Sequence, residues 1–237
     1  MAKYQTSRTQ SGNKLLARLP PAVYERLLPH LTPLPLQFKQ VLYGVRSAVD
    51  HAYFPLRGVL SALTVMKDGR AIEVATIGNE GMIGLPASIE AKNSPNKVLV
   101  QIAGDGLRIK ASMLMDETRQ SEPLRRLLAL YQSAFMSQLS QSVACNGLHS
   151  VQKRCCRWLL ITHDRLASNE VPLTHEFLAI MLGARRSSVT EVLQPLQEQG
   201  LVHNARGVIT ILDRAGLEAA CCECYRSVAD EFHRLLG

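Results

Sequence analysis

The sequence lacks any long hydrophobic run. Its start, MAKYQTSRTQSGNKLLARLP, contains no apolar segment of signal-peptide length, and no later stretch approaches the roughly 20 apolar residues of a membrane span. Internal repeats and low-complexity tracts are also absent. These absences argue against secretion and membrane insertion, and we expect a cytoplasmic protein.

Cysteine is missing from the first half of the chain. All six cysteines lie in the second half: Cys145, Cys155, Cys156, Cys221, Cys222 and Cys224. Without a secretory signal they are expected to stay reduced rather than to form a disulfide framework. Zinc sites commonly use two Cys-x-x-Cys motifs, and the chain does not have two. We therefore predict no metal site, although a zinc or redox role for Cys221, Cys222 and Cys224 stays open. Most of these cysteines fit apolar helix faces as small hydrophobes, whereas Cys222 is expected to be more exposed.

Catalytic motifs are missing as well. The chain has no Gly-x-Ser-x-Gly nucleophile elbow, no Walker-type loop and no Cys/His catalytic pattern. A jelly-roll metalloenzyme of the cupin kind usually needs a His-x-His pair, and the first half offers only His30 and His51, far apart. We therefore predict that the protein is not an enzyme.

The composition is that of a folded protein with an anionic partner. The chain has 237 residues, 20% of them charged and 46% hydrophobic, enough for one large domain or two modest ones. Its formal net charge is +7, which favours nucleic acid or a membrane surface as the partner. The basic residues are dispersed and form no disordered basic tail.

The first half has a β pattern. Short β-branched or aromatic runs occur in PLQFKQVLYG, AYFPLRGVLSALTVMKDGRAIEVATIG and KVLVQIAGDGLRIK. Glycine, aspartate and asparagine punctuate them at hairpin intervals, for example at Asp68-Gly69 and Gly104-Asp105-Gly106. Evenly spaced short strands of this kind predict a sandwich or barrel, with a jelly roll as the natural candidate.

A long helix follows over residues 121–147. Ser121 is a good N-cap, Pro123 lies in the first turn, and Asn146-Gly147 supplies a C-terminal stop. Apolar residues recur at helical spacing at Leu124, Leu127, Leu128, Tyr131, Phe135, Leu139 and Val143. Because Leu130, Ala134 and Met136 lie off that face, the helix needs cover on two sides, and we interpret it as a pairing helix between two subunits.

Two short helices hinged at Gly183 follow in LTHEFLAIMLGARRSSVTEVL, residues 173–193. Thr174 can cap the first helix, and Gly183 suits the tight turn. The second helix places Val189, Val192, Leu193 and Leu196 on its core face, opposite Arg186, Ser187, Thr190, Glu191 and Gln194. LVHNARGVITILD then predicts a hairpin with Arg206 at its tip, and Asp213 caps a last helix with Leu217, Cys221, Cys224, Val228 and Leu235 inward.

This geometry is that of a helix-turn-helix followed by a wing. Arginine can bind guanine in bidentate fashion, glutamate can accept from cytosine, and hydroxyls can hold phosphate. We predict that this surface reads bases, with Thr190 among the base-reading residues. Thr174 and Arg206 are predicted to bind phosphates.

The order of β domain, long helix and winged helix-turn-helix resembles the cyclic-AMP receptor protein/FNR (Crp/Fnr) family of bacterial transcription regulators. The resemblance runs from about Leu15 onward and includes IGNEGMIGLP, residues 77–86, and RGVITILDRAGLEAACCECY, residues 206–225. It implies an α+β fold with a jelly-roll, cyclic-nucleotide-binding-like domain (1–120), a dimerisation helix (121–147) and a winged helix-turn-helix domain (148–237). It also implies a homodimer on a near-palindromic DNA site, with half-sites about 34 Å apart, and RNA polymerase as a partner. By this resemblance Arg185, Arg186, Ser187 and Glu191 lie where the family reads bases, and Ser188 lies at a phosphate-contacting position.

The resemblance weakens at the effector. Cyclic-nucleotide-binding members have Gly-Glu-x-Gly followed by Arg-Ser or Arg-Thr, whereas the corresponding pocket residues here are Gly81, Met82, Gly84 and Leu85. Met82 cannot accept from a ribose hydroxyl, and Lys97 does not replace the arginine fork. We expect an unidentified effector rather than cyclic AMP, with a conventional cyclic-nucleotide regulator as the alternative. The family's iron–sulfur cluster is not expected, because no cysteine precedes Cys145.

Pro195 is a second departure from the family pattern. Inside the recognition helix it removes a backbone bond to Glu191 and is expected to kink or end the helix. It keeps open a further alternative, a ligand-responsive interaction protein with a degenerate helix-turn-helix.

Overall fold

The structure is a computed structural model that describes residues 12–85 and 93–237. These residues form two compact units. The first contains the described residues of Met1–Ser61 and Ile77–Ala134 together with Leu235–Gly237. The second contains Ala62–Thr76 and Phe135–Arg234. The functional division at 1–120, 121–147 and 148–237 stays a prediction.

An antiparallel sheet dominates the first half of the described chain. Its strands are β1 Thr32–Leu36, β2 Val41–Tyr43, β3 His51–Val65, β4 Ala71–Ile77 and β5 Lys97–Lys110. The strand order is β1-β5-β3-β4, and β2 also pairs with β5. The β1–β5 register joins Thr32 to Arg108 and Leu36 to Gly104. The predicted β-rich first half is confirmed.

The prediction of a turn at Gly104-Asp105-Gly106 is wrong, because β5 continues through all three residues. A Cβ on Gly104 would collide with the backbone carbonyl of Arg57, and a Cβ on Gly58 would lie 2.6 Å from the carbonyl oxygen of Ile102. Glycines in the middle of strands can therefore mark a close approach of two backbones rather than a chain reversal.

Several helices in the first half were not anticipated from the sequence. They are α1 Lys14–Ala17, α2 Pro21–Leu27, a 3-10 turn at Leu28–His30 and α3 Ala111–Gln120. The fully buried Asn13 caps α1, because its Oδ1 accepts from the N–H of Leu16 at 3.0 Å. Its Nδ2 donates to the carbonyls of Pro55 at 2.8 Å and Gly81 at 2.9 Å, so one amide ties α1 to the β domain.

The long helix α4 spans Glu122–Leu148. Ser121 caps it as predicted, since its Oγ accepts from the N–H of Leu124 at 3.4 Å. Val143, one of the apolar residues at helical spacing, is 72% exposed in the single chain. The buried line of the second half passes instead through Gln138, whose Nε2 donates to the carbonyl of Thr76 at 3.1 Å. Hydrophobicity alone would place Gln138 in solvent, but a buried polar side chain is stable when it has a hydrogen-bond acceptor.

The C-terminal half forms a winged helix-turn-helix. Its helices are α5 Val151–His163, α6 His175–Leu182, α7 Arg186–Glu198, α8 Arg214–Ala220 and α9 Cys224–Leu236. The strands β6 Glu170–Pro172, β7 Val202–Ala205 and β8 Val208–Ile211 form a sheet of order β6-β8-β7. The predicted α+β fold, with a β domain, a long helix and a winged helix-turn-helix, is confirmed. The prediction of a single last helix is wrong, because the helix is interrupted between α8 and α9 at Cys221, which has an extended backbone.

The segment Ala62–Thr76 packs inside the second unit. The indole Nε1 of Trp158 donates to Oε1 of Glu73 at 2.9 Å, and both side chains are buried. Nη1 of Arg165 donates to Oγ1 of Thr76 at 2.9 Å. These bonds secure the end of the β3–β4 hairpin against α5 and the residues that follow it.

Candidate DNA-binding surface

The turn between α6 and α7 is built as the sequence predicts. Oγ1 of Thr174 accepts from the N–H of Phe177 at 3.3 Å and caps α6. Gly183 ends α6 in the left-handed conformation, with φ 58° and ψ 38°. Its N–H donates to Ile180 at 3.2 Å, and the N–H of Ala184 donates to Ala179 at 2.9 Å. These bonds satisfy carbonyls that the helix end would otherwise leave free.

Helix α7 has one buried and one exposed face. Val189, Leu193 and Leu196 are buried, as predicted, and Val192 is half-buried. The five residues predicted to read bases are all exposed: Arg185, Arg186, Ser187, Thr190 and Glu191. Ser188, predicted to bind phosphate, is half-buried in the first turn.

The N-terminus of α7 is free of a side-chain cap. Arg185 occupies the N-cap position in an extended conformation and makes no capping hydrogen bond. The first N–H groups of a helix have no partner within the helix, and they carry the positive end of its dipole. This end of α7 therefore combines backbone donors with two exposed guanidinium groups.

A histidine that the sequence did not assign to the site links three elements. Nδ1 of His175 lies 3.1 Å from Oγ1 of Thr190 on α7, and its Nε2 lies 2.6 Å from Nδ2 of Asn204 on β7. The Thr190 hydroxyl also lies 3.4 Å from the carbonyl of Arg186, to which it can donate. This chain of contacts holds α7 against α6 and the wing. Only the position of His175 in the first helical turn hinted at such a role.

The wing is the predicted hairpin. β7 and β8 pair from Val202↔Ile211 to Ala205↔Val208, which leaves Arg206 and Gly207 as a two-residue turn. Both have positive φ, 49° and 78°, as a type I′ turn requires. Arg206 is exposed at the tip.

Pro195 does not end the recognition helix. α7 continues to Glu198, and the N–H of Gln199 donates to the carbonyl of Pro195 at 3.1 Å. Pro195 lacks the backbone bond to the carbonyl of Glu191 in the preceding turn, but the turn that follows keeps its hydrogen bond from Gln199, so the helix continues. Of the two predicted effects of Pro195, a kink or an end, the end is wrong, and residues 185–194 lie in continuous helix or at its cap.

The predicted effector residues lie in a part of the first unit that is already packed with side chains. Gly81, Met82 and Gly84 are buried and Leu85 is half-buried. The hydroxyl of Tyr131 donates to the carbonyl of Met82 at 2.8 Å. A Cβ on Gly81 would collide with the Tyr131 ring, so a side chain has taken the space beside this glycine.

A separate open pocket has a basic lining. It is formed by His30, Thr32, His51, Arg108, Lys110 and Met113, and it includes none of the predicted effector residues. Desolvation by burial, followed by the charge of Arg108, lowers the pKa of His51.

The C-terminal cysteines are arranged differently from the prediction. Cys222 is buried and Cys221 is half-buried, so the expected exposure of Cys222 is wrong. The break between α8 and α9 turns Cys222 and Cys224 towards Cys145 and His149 at the end of α4. Sequence reasoning missed these two partners because they lie far upstream.

Comparison with known proteins supports the geometry. Residues 153–220 match the model of the Crp-like helix-turn-helix domain. Transcriptional regulator SdrP of Thermus thermophilus is 24% identical over 185 residues, which cover 75% of this chain and 88% of that protein.

Two solved structures have the same fold. FixK2 from Bradyrhizobium japonicum is 18% identical with a TM-score of 0.71, over 81% of this chain and 98% of its own. A regulator described as of the Crp/Fnr family from Eubacterium rectale is 23% identical with a TM-score of 0.66, over 87% and 96%. Among the described helices, none combines the length and apolarity needed to cross a membrane.

These findings define the class of protein. Residues 153–220 form a Crp-like helix-turn-helix domain, and the chain has the fold of the Crp/Fnr regulators. The predicted resemblance is confirmed: residues 153–220 belong to the Crp-like helix-turn-helix family, and the chain is similar to a transcriptional regulator over 75% of its length.

Proposed function

We propose that the protein is a homodimer that reads a near-palindromic operator, with one α7 in the major groove of each half-site. The observation that carries this proposal is the uncapped N-terminus of α7, with exposed Arg185 and Arg186 opposite a buried apolar face. Base contacts are assigned to Arg185, Arg186, Ser187, Thr190 and Glu191. Phosphate contacts are assigned to Thr174, Ser188 and Arg206.

The chemistry of this surface supports the assignment. Guanidinium groups bind guanine in bidentate fashion, and a glutamate can accept from the amino group of cytosine. Arg206 at the wing tip can reach a phosphate, and the net charge of +7 favours approach to DNA. The hydroxyl of Thr190 contacts His175, so His175 holds this hydroxyl in one position before it meets a base.

Helix α4 supports the dimer. On its exposed side Met136 is 55% exposed, Val143 is 72% exposed and Leu148 is 82% exposed. Met136 and Val143 are seven residues apart, so they lie on the same stripe of the helix. A second copy of α4 would cover these side chains and remove apolar surface from water.

The test of this function is selection from a random duplex pool. We expect the full-length protein to enrich near-palindromic sites whose half-site centres lie about 34 Å apart, one turn of DNA. Val143→Lys should give a monomer in analytical ultracentrifugation and lose the palindromic preference, because a buried lysine charge lacks a partner in the dimer.

The matched control for this selection is Val143→Ala, which keeps the position apolar and should preserve both the dimer and the palindrome. Failure of the parent to enrich any sequence would overturn the DNA-reading proposal. A dimeric Val143→Lys variant with unchanged selection would overturn the assignment of α4 alone.

We propose that the effector is not cyclic AMP. Met82 stands where a ribose-binding carboxylate is needed, its side chain is fully buried, and its carbonyl accepts from Tyr131. The effector residues Gly81, Met82, Gly84 and Leu85 stay a proposal, and the ligand itself is unidentified.

Calorimetry tests this second point. Titration of the protein with cyclic AMP at micromolar concentration should give no saturable heat, because neither the carboxylate nor the arginine fork is present. A duplex carrying the selected operator, titrated into the same preparation, should give a saturable isotherm and show that the protein is active. A saturable cyclic-AMP isotherm would contradict the proposal.

The remaining parts of the proposal follow from the class. A regulator of this type acts beside DNA in the cytoplasm, and RNA polymerase is the partner through which it would change transcription. The alternative of an interaction protein depended on Pro195, and the continuity of α7 through this residue favours DNA binding.

A further inference from the structure

Four possible metal ligands converge in the second unit, outside the DNA-binding surface. They come from two places in the chain: Cys145 and His149 at the end of α4, and Cys222 and Cys224 at the break between α8 and α9. Their sulfur and imidazole nitrogen atoms all lie within 4.8 Å of one another. The three cysteines are buried, and His149 is half-buried.

The backbone explains why each pair converges. The N–H of His149 donates to the carbonyl of Cys145 at 3.1 Å, so the helical turn places both side chains on one face. Cys222 and Cys224 are separated by one residue at a break in the helix, which lets both sulfurs point the same way.

Two distances within the cluster match the edges of a metal tetrahedron. Sγ of Cys145 lies 3.7 Å from Sγ of Cys222, and Sγ of Cys224 lies 3.4 Å from Nδ1 of His149. Zinc with bonds of about 2.3 Å to sulfur and about 2.0 Å to nitrogen has edges of roughly 3.8 Å and 3.5 Å. We propose that Cys145, His149, Cys222 and Cys224 bind one zinc ion.

The surroundings supply the contacts that zinc ligands usually have. Nε2 of His149 lies 3.4 Å from Oε2 of Glu223, so the second ring nitrogen faces a carboxylate while Nδ1 faces the site. A carboxylate in this position orients the ring and raises its basicity as a ligand. Nε2 of Gln141 lies 3.0 Å from Sγ of Cys224 and donates to it, which would help to stabilise a thiolate.

The charges balance as well. Three thiolates and one Zn²⁺ carry a net charge of −1, and the buried Arg157 lies close enough for its charge to act on Cys145. Binding would release three thiol protons to solvent while the neutral His149 donates its lone pair.

The site would join two distant parts of the second unit. Zinc would link the last turn of α4 to the segment between α8 and α9. Cys145 and Cys222, one from each segment, are 77 positions apart in the sequence. Sequence reasoning predicted no metal because it looked for paired Cys-x-x-Cys. The fold pairs Cys-x-x-x-His with Cys-x-Cys instead.

Metal content tests the proposal without reference to DNA binding. The full-length protein, stripped with a chelator under reducing conditions and then given zinc, should retain about one zinc per chain by mass spectrometry. Cys145→Ala, Cys222→Ala and Cys224→Ala should each lose most of it. Cys155→Ala is the matched control, because Cys155 is equally buried but lies outside the cluster, and it should keep the zinc.

Two further measurements use only the parent protein, so they do not depend on whether a variant folds. Cobalt(II) in place of zinc should give strong thiolate-to-metal absorption and the visible bands of a tetrahedral site. Zinc should also protect three thiols from alkylation, and a chelator should expose them again. The proposal would be overturned if these signals were absent. It would also be overturned if iron–sulfur absorption appeared, or if Cys145 and Cys222 formed a disulfide in the reduced preparation.

Discussion

Replacing Arg186 with alanine should weaken binding to the selected operator by about 1–3 kcal/mol, or roughly 5- to 150-fold. The loss should be confined to specific sites, and base choice should relax at one position of each half-site. Competition binding of the cognate duplex and single-base variants at fixed salt measures both effects.

The structure makes this substitution a clean probe. Arg186 is exposed at the first position of α7, and within the described residues its side chain has no hydrogen bond or ion pair. Alanine is also a good helix former, so the stability of the domain should change by less than about 0.5 kcal/mol. A change in affinity can then be assigned to the missing guanidinium group.

Arg206→Ala serves as the control for charge. It removes the same side chain from the wing tip, where we assign a phosphate contact, so it should weaken cognate and scrambled duplexes alike and lower the salt dependence by about one ion. If Arg186→Ala bound cognate and scrambled duplexes just as the parent does, the recognition assignment would be wrong.

Replacing Gly183 with alanine should destabilise the second unit by about 2–5 kcal/mol. The left-handed conformation, with φ 58°, costs a residue with a side chain about 1–2 kcal/mol. A Cβ there would also lie 2.5 Å from Cδ1 and 2.9 Å from Cγ1 of Ile72, and such overpacking costs a further 1–3 kcal/mol or so. Urea unfolding followed by the fluorescence of Trp158, the single tryptophan, reports on this unit.

Gly200→Ala is the matched control for Gly183→Ala. Gly200 follows α7 with φ 70°, but a Cβ there would meet nothing within 4 Å, so it should cost only about 1–2 kcal/mol. Removing Ile72 in the double variant Gly183→Ala/Ile72→Ala should recover part of the larger loss as a coupling energy. Equal costs for the two glycines would show that contact with Ile72 plays no part.

The helix-turn-helix was readable from the sequence because its signals are local. Thr174 caps one helix, Gly183 ends it, and the spacing of Val189, Leu193 and Leu196 separates a core face from an exposed one. Each of these features depends on neighbours within a few residues. The long helix was found for the same reason, from the cap at Ser121 and its periodicity.

Features that depend on distant neighbours were not readable. Gly104 is a residue type typical of turns, yet it lies inside β5. Only a glycine fits there, because the backbone of Arg57 passes close to it. Val143 has the hydrophobicity of a core residue, yet Gln138 occupies the buried face because Thr76 offers it an acceptor. The break at Cys221 has neither glycine nor proline to announce it.

Periodicity, capping residues and turn chemistry therefore established the order of the β domain, the long helix and the helix-turn-helix, and the two faces of α7. Packing between residues far apart in the chain established which glycines allow backbones to cross, which face of α4 is left exposed, and that four possible zinc ligands meet. The physical reason is range: hydrogen bonds within a helix or turn join near neighbours. Burial and metal coordination join whichever side chains the completed fold brings within a few ångströms.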